Sequence, residues 1–430
     1  MDVSSTFSHA QPLPRGLAGY VTLLRQNPNF RNLWIGQVIS DLGDWFNTVA
    51  VLGLLQELTH NALGSSLQIV FQMLPGALAG LFISGWVADR FDRRTVIIVT
   101  HIVRAILALA YLFVDTPEMV WLAYLATITL SIGNSFFQPA SSAALPNLCK
   151  PGELTTANAL QQSSFASVIF IGAFIGGVVA QWLGRDVAFV INALSFLWAA
   201  YWTWRVRGSF ADASRREQLN GGSAVRVLTD GARYLRTNPK VGMFSLLKPV
   251  WAFTFGASGL YSAYSFGIYA TGDMGTSWLY AGRGLGAFIG PLLIGVLVAP
   301  KALRQFATIA IGSLALSMIG YTVFGLSLTP IVGALGVGLG HLGGASLWTF
   351  SRLYLQRETP DRLRGRVLSL DQVLFWLTNS CATLMLGALA TATTLPFAVL
   401  AGVGASVLLT AAWGLVMFRF FVAKTGEAPA

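Results

Sequence analysis

Two carboxylates and one guanidinium stand inside runs of apolar residues. Asp41 and Asp44 are three residues apart in one such run, so on a helix they share a face. Arg104 interrupts a second run. An ionised side chain in an apolar medium costs at least ~2.5–3.5 kcal/mol, so each of these residues needs a partner or a function. At a rise of about 1.5 Å per residue, the acids lie roughly 16 and 21 Å above a helix start near Phe30, and Arg104 roughly 14 Å into its own helix. Those depths pair Asp41 with Arg104 and leave Asp44 as the lone acid. Desolvated beside a like charge, Asp44 is then the group expected to take up and release a proton. A purely structural charge cluster is the alternative.

Other polar residues in apolar runs invite similar readings. Arg283, whose internal-repeat counterpart is Gln72 or Met73, is expected to face a cavity and hold an anionic or carboxylate-bearing substrate. Lys248 and Asp371 sit at similar depths and either form a gate pair or snorkel toward the surface. His341 reads as a hydrogen-bonded structural histidine, with a proton relay as the rival. Gln72, Asn134, Gln138, Trp45, Trp251 and Trp348 are candidates to line an amphipathic cavity with Arg283 and His341.

Composition fixes the medium in which these residues must work. Of 430 residues, 54% are hydrophobic and only 11% charged, too few charges to cover a water-facing surface and too much apolar content for disorder. A net charge of +10 suggests nucleic acid, but the charges sit in short clusters between apolar runs, as in a polytopic membrane protein. Cys149 and Cys381 make no disulfide framework and fit no metal-site spacing, and no cofactor is expected. No nucleotide-binding glycine loop and no nucleophile constellation is present, which argues against an ATP-driven pump and against an enzyme.

Spans of about 20 apolar residues cross a bilayer. Twelve are predicted: 30–57, 65–87, 95–114, 119–141, 157–182, 187–204, 242–270, 276–299, 305–326, 330–352, 366–390 and 395–418. Short turns at Thr116-Pro117, Thr329-Pro330 and Leu395-Pro396 separate three of the pairs. With both termini placed in the cytoplasm, 24 of the 28 lysines and arginines fall inside, three lie within spans, and Arg185 alone lies outside. That is the positive-inside pattern for an even number of spans. No apolar stretch precedes residue 30, so no cleaved signal peptide is expected. Within the polar segment, 225–235 forms an amphipathic helix. It lies on the anionic inner leaflet or serves as a solvated connector.

The two halves repeat. Leu24 to Pro28 matches Leu235 to Pro239, and Gly64, Gly76, Gly80 and Gly85 match Gly275, Gly286, Gly290 and Gly295, all near an offset of 211. Residues 1–204 and 241–430 therefore read as six-helix bundles, with 205–240 a cytoplasmic linker carrying the amphipathic helix. Parallel repeats of this kind place a transport site near the midplane between them.

Between helices 2 and 3 the chain reads Gly85-Trp86-Val87-Ala88-Asp89-Arg90-Phe91-Asp92-Arg93-Arg94. Gly85 permits close helix approach, Asp89 can accept from a neighbouring helix N-terminus, and Arg90, Arg93 and Arg94 can bridge helix ends as a latch. This segment resembles the cytoplasmic signature of the major facilitator superfamily, departing from it at Asp92, where glycine is usual. Further stretches resemble the siderophore- and macrolide-exporter branch: Asn29 to Gln37, Leu42 to Trp45, Phe137 to Ala140, Asn158 to Leu160 and Pro360 to Val367. The resemblance implies that Asp89 packs near Leu363 to Val367. The second-half counterpart, Gly295 to Arg304, is degenerate, with Ala299 and Pro300 in place of the acid and the arginine. A family signature of antiporters is matched by Gly172, Gly176 and Gly177 but not by Val168 or Ala173. Close helix packing explains the same glycines.

The expectation is an all-α membrane protein with twelve transmembrane helices in two parallel six-helix bundles, the major facilitator fold. It is expected to be a monomer in a bacterial inner membrane, exporting a small amphipathic, siderophore-like or drug-like molecule in exchange for protons. It has no nucleic-acid partner. The rivals are an importer or lysophospholipid flippase on the same fold, and a non-transporting scaffold or sensor.

Overall fold

A computed structural model describes residues 16–84, 91–150, 152–207, 210, 224–297, 300 and 302–422. Every regular element among them is helical. A short α1 (Leu17–Gln26) precedes six rods: α2 (Pro28–Thr59), α3 (Ala62–Ala79), α4 (Arg93–Ala108), α5 (Val120–Leu148), α6 (Leu154–Trp182) and α7 (Arg185–Trp204). After α8 (Ala224–Thr237) come α9 (Pro239–Ser245), α10 (Leu247–Phe255), α11 (Tyr261–Gly267), α12 (Gly272–Leu297), α13 (Leu303–Gly325), α14 (Pro330–Glu358), α15 (Asp361–Ala392) and α16 (Leu395–Met417). Below, α2–α7 are the first set and α9–α16 the second.

Ten helices are long and apolar enough to cross a membrane among the described residues. A broken helix and one further rod fill the remaining predicted spans. The span expected at 242–270 is not one helix: it breaks at Leu246 and again in a 3₁₀ turn over Gly256–Leu260, giving α9, α10 and α11. The rod α12 has 26 residues, roughly 39 Å at 1.5 Å per residue, enough to span the apolar layer. The protein is an all-α membrane protein, and these rods accommodate the twelve predicted crossings.

Local chemistry explains the boundaries. Asn27 caps α2 by accepting from the Phe30 amide at 2.9 Å, with Pro28 at the first helical position. Asn238 and Pro239 open α9 with nearly the same backbone, φ −123° against −118° at Asn27. Thr329 and Thr394 cap α14 and α16 ahead of a proline, which produces the short turns expected there. The repeat also recurs in packing. A Cβ on Gly76 would lie 2.6 Å from the Ser131 carbonyl oxygen on α5, and one on Gly286 1.9 Å from that of Gly338 on α14. Each glycine lets its helix cross a partner at backbone contact.

Helices α2, α4, α6, α9, α13 and α15 begin at one end of the bundle, which carries the basic clusters and is called the basic end here; the opposite end is the far end. The largest buried apolar cluster fills the second set and reaches across to Val49, Leu52, Ile69 and Ala173 of the first. The amphipathic helix α8 docks on the start of α15. Arg366 Nη1 binds Asp230 Oδ2 at 2.5 Å, and Tyr234 donates to the Glu358 carbonyl at 3.1 Å. Arg226, Arg233 and Arg236 point away from this contact and are exposed.

Candidate functional site

A cavity of about 170 Å³ opens among the helices of the first set, lined by Asp41, Asp44, Gln72, Arg104 and Asn134 together with Trp45 and Phe165. Arg104 Nη2 donates to Asp44 Oδ2 at 2.7 Å. The arginine is buried, and its guanidinium lies 4.1 Å from the centre of the Phe196 ring. This corrects the expected pair: Asp44, not Asp41, holds Arg104. Both α2 and α4 begin two residues before their predicted starts, at Pro28 and Arg93, so the relative depths of the acids and Arg104 are as expected and do not decide the pairing. A long side chain also reaches past its own Cα level, so backbone depth alone does not select a partner. Asp41 makes no hydrogen bond or close ion pair among the described residues, although Arg104 acts on it through space, and it lines the same cavity. The lone acid is therefore Asp41.

The Gln72 amide donates from Nε2 to Thr48 Oγ1 at 2.8 Å, and Asn134 lies on the wall. The side chain of Gln138 lies outside the described residues.

A second, larger cavity of about 430 Å³ lies between α6 of the first set and α12 and α14 of the second. Its wall includes Phe165, Ile169, Phe288 and Trp348, and Phe165 is shared with the first cavity. The first volume is too small for a drug-sized molecule; the second falls within the usual range for one. One turn from Ala287 on this wall, Arg283 is half-buried, its guanidinium over the rings of Phe255, Tyr280 and Trp45 at 4.9, 5.6 and 5.9 Å. It has no acidic partner among the described residues.

Other candidates fall elsewhere. Trp251 is buried packing, not cavity wall: its Nε1 donates to Ser317 Oγ at 3.0 Å, and Gly344 leaves room for the ring. His341 is also buried, with Nδ1 3.1 Å from the Val337 carbonyl oxygen and its ring among Trp251, Phe255 and Tyr321. It lines neither cavity. Lys248 and Asp371 form a buried ion pair, and Nζ also sits 4.3 Å from the Trp348 ring centre. At 2% and 1% exposure neither side chain snorkels. The pair joins α10 to α15, both in the second set, so it does not bridge the sets as a gate between them would.

Closure between the sets is visible at the far end. Arg185 binds Asp273 of the second set through Nε at 2.9 Å and Glu57 through Nη1 at 2.5 Å. Asn61 accepts from Thr391 at 2.6 Å, and Ser262 donates to the Leu52 carbonyl at 3.0 Å. A Cβ on Gly177 would lie 1.5 Å from Ser277 Oγ. Among the described residues, the hydrogen bonds and ion pairs between the sets run from mid-depth to the far end, and the larger cavity lies toward the basic end. Sequence reasoning did not assign Arg185 a role. The signal was available: it is the one cation that the charge count places on the far side.

The family model of the Major Facilitator Superfamily matches residues 33–380. The chain belongs to the major facilitator superfamily. It is a membrane transporter of small molecules, not an enzyme. It is 24% identical over 379 residues to BacE of Bacillus amyloliquefaciens, named as a bacilysin exporter, covering 87% of this chain and 92% of the relative. Macrolide efflux protein A of Streptococcus pyogenes is 25% identical over 222 residues, 51% of this chain and 53% of that protein. In fold it is similar to the nucleoside transporter NupG, with a TM-score of 0.69 at 15% identity, covering 91% of this chain and 99% of that one. A bacterial homologue of the human lysosomal transporter Spinster gives 0.70 at 15% identity, covering 94% and 100%.

The superfamily's motifs take on physical content here. Gly85, Asp89 and Arg90 lie outside the described residues. Asp92, the departure from the signature, caps α4 by accepting from the Thr95 amide at 2.9 Å. Arg93 Nη1 donates to the Phe210 carbonyl at 3.0 Å and Arg94 to that of Trp204, so both bind the chain leaving α7. Cations suit the unpaired carbonyls at a helix C-terminus. Gly172 and Gly176 of the antiporter signature press α6 onto Trp45 and Phe46 of α2.

Proposed function

We propose that this transporter exports a small amphipathic molecule by alternating access, in exchange for protons carried on Asp41. The supporting observation is the unpartnered Asp41 carboxylate on the cavity wall beside a closed Asp44–Arg104 pair. A carboxylate that borders a cavity and is tied to no single cation by a hydrogen bond is free to exchange one partner for another, a proton included, as the cavity opens and closes. A proton moving down the membrane potential supplies about 2.3 kcal/mol per 100 mV, enough to drive uphill export.

Orientation follows from charge. The basic end faces the cytoplasm by the positive-inside rule, so both termini are cytoplasmic and the membrane is a bacterial inner membrane. The larger cavity then loads from the cytoplasm while Arg185 and Asp273 hold the outer end shut. Relatives named for bacilysin export and macrolide efflux support the outward direction. Residues 1–204 and 241–430 rock against each other as the two bundles, with 205–240 as the linker, and Gly85, Asp89, Arg90, Arg93 and Arg94 close the cytoplasmic side. Gln72, Asn134 and Arg283 contact substrate.

The test is transport in proteoliposomes with an imposed pH gradient. Asp41→Asn is expected to lose gradient-driven accumulation, while substrate exchange at equal pH is weakened but still measurable. Full accumulation by that variant refutes the proton role.

A further inference from the structure

Six aspartate, arginine and lysine side chains stand deep in the helices near the cavities: Asp41, Asp44, Arg104, Lys248, Arg283 and Asp371. Four are consumed in two closed pairs, Asp44 with Arg104 and Lys248 with Asp371. Arg104 is hydrogen-bonded to Asp44 and reaches Asp41 only through space, so this cluster keeps one carboxylate in excess, and Arg283 has no acidic partner among the described residues. Asp41 belongs to the first set and lines the smaller cavity; Arg283 belongs to the second and sits one turn from the wall of the larger one. Trp45 stands between them, one helical turn from Asp41 on α2 and 5.9 Å from the Arg283 guanidinium. We propose that the substrate is a zwitterion, its ammonium held by Asp41 and its carboxylate by Arg283, with an apolar body against Trp45 and Phe165.

The argument is one of compensation. A ligand of single charge would satisfy one of the two groups and leave the other orphaned as the cavity closes and water leaves. A neutral ligand would leave both. A zwitterion satisfies both and adds no net charge to the apolar layer. Arg283 presents a planar donor fork, which suits a carboxylate. Size is constrained as well. One turn of α2 and the gap to the guanidinium place the charges on the order of 10 Å apart, too far for a simple α-amino acid. An extended apolar tripeptide spans about 10 Å.

The proposal deepens the transport reading and rests on it. The probe is trileucine with free termini, compared with its N-acetyl form, its C-terminal amide and the doubly blocked form. Binding to the full-length protein in detergent is measured by calorimetry. The free form is expected to bind about tenfold or more tightly than either singly blocked form. Asp41→Asn should erase the preference for a free amine and keep that for a free carboxylate. Arg283→Gln should do the reverse, and Arg283→Lys should keep a reduced carboxylate preference, so a poorly folding Arg283→Gln does not stall the test. A singly blocked form binding as tightly as the free one, unchanged preferences in the variants, or no binding by any of the four overturns the assignment. Proton uptake is read separately with a pH dye in proteoliposomes. If coupling persists in Asp41→Asn while the selectivity pattern holds, the proton reading fails and the zwitterion assignment stands.

Discussion

Gly53 and Asp273 meet across the two helix sets so closely that a Cβ on residue 53 would lie 1.6 Å from the Asp273 carboxylate oxygen. The clashing atom is Oδ1 of the same carboxylate whose Oδ2 accepts from Arg185, so the Asp273 side chain must shift to admit that methyl group and the contact with Arg185 is disturbed. Gly53→Ala is therefore expected to disfavour the closed far end. Cysteines placed at Asn61 and Thr391, whose native side chains hydrogen-bond at 2.6 Å, should cross-link readily in the parent protein and several-fold less in Gly53→Ala. Equal cross-linking would show that the far end closes without this contact.

Within the far-end cluster the two acids are unequal. Glu57 is 61% exposed, and an ion pair in such a place contributes at most about 1 kcal/mol. Asp273 is 5% exposed and bridges the sets. Asp273→Asn should shift the population toward the outward-open form, while Glu57→Gln should leave it nearly unchanged. Reagent accessibility of a cysteine on the outer vestibule, measured for both variants, checks the ranking.

Arg104 and Asp44 form the pair that holds the first cavity in shape. Removing the acid takes the hydrogen-bonded counter-ion from a buried guanidinium and leaves it the Phe196 face and the more distant Asp41, so Asp44→Asn should cost about 3 kcal/mol. Asp41→Asn breaks no pair and should leave the melting temperature near that of the parent. Thermal unfolding in detergent separates the two, and equal destabilisation would mean that Arg104 leans on both acids.

Lys248 and Asp371 present the buried-pair case more fully. Asp371→Asn orphans a buried ammonium, with an expected loss of about 3–5 kcal/mol. The double change Lys248→Met with Asp371→Leu should recover most of it, because apolar groups of similar volume replace a pair that had to be desolvated. If the double variant is stable yet does not transport, the pair has a role beyond holding α10 on α15.

The linker helix gives a contrast of magnitudes. The Arg366–Asp230 pair is partly exposed, so Asp230→Asn should cost under about 1 kcal/mol. Gly231 has no such margin: a Cβ there would lie 2.9 Å from the Arg366 carbonyl oxygen. Gly231→Leu should lift α8 from α15 and raise amide exchange across 224–237, an effect that Asp230→Asn should not reproduce.

Much of this protein was legible in its sequence because the apolar layer imposes one-dimensional rules. A span must be about 20 residues long, its basic flanks fall on one side, and its caps are written in adjacent residues, as at Asn27-Pro28 and Thr329-Pro330. The repeat was readable for the same reason: Gly76 and Gly286 recur because equivalent helices cross at equivalent depth. Pairing was not readable in that way. Asp41 and Asp44 share a helix face, and the choice between them turns on the reach of an arginine and the slot beside Phe196. Nor could the sequence tell that Lys248 faces Asp371 and does not snorkel, that Trp251 packs while Trp45 and Trp348 line cavities, or that Asp273 reaches Arg185. Each of these depends on the rotation of one helix about its axis against another. That rotation is set by side-chain packing between segments far apart in the chain, and only the tertiary structure decides it.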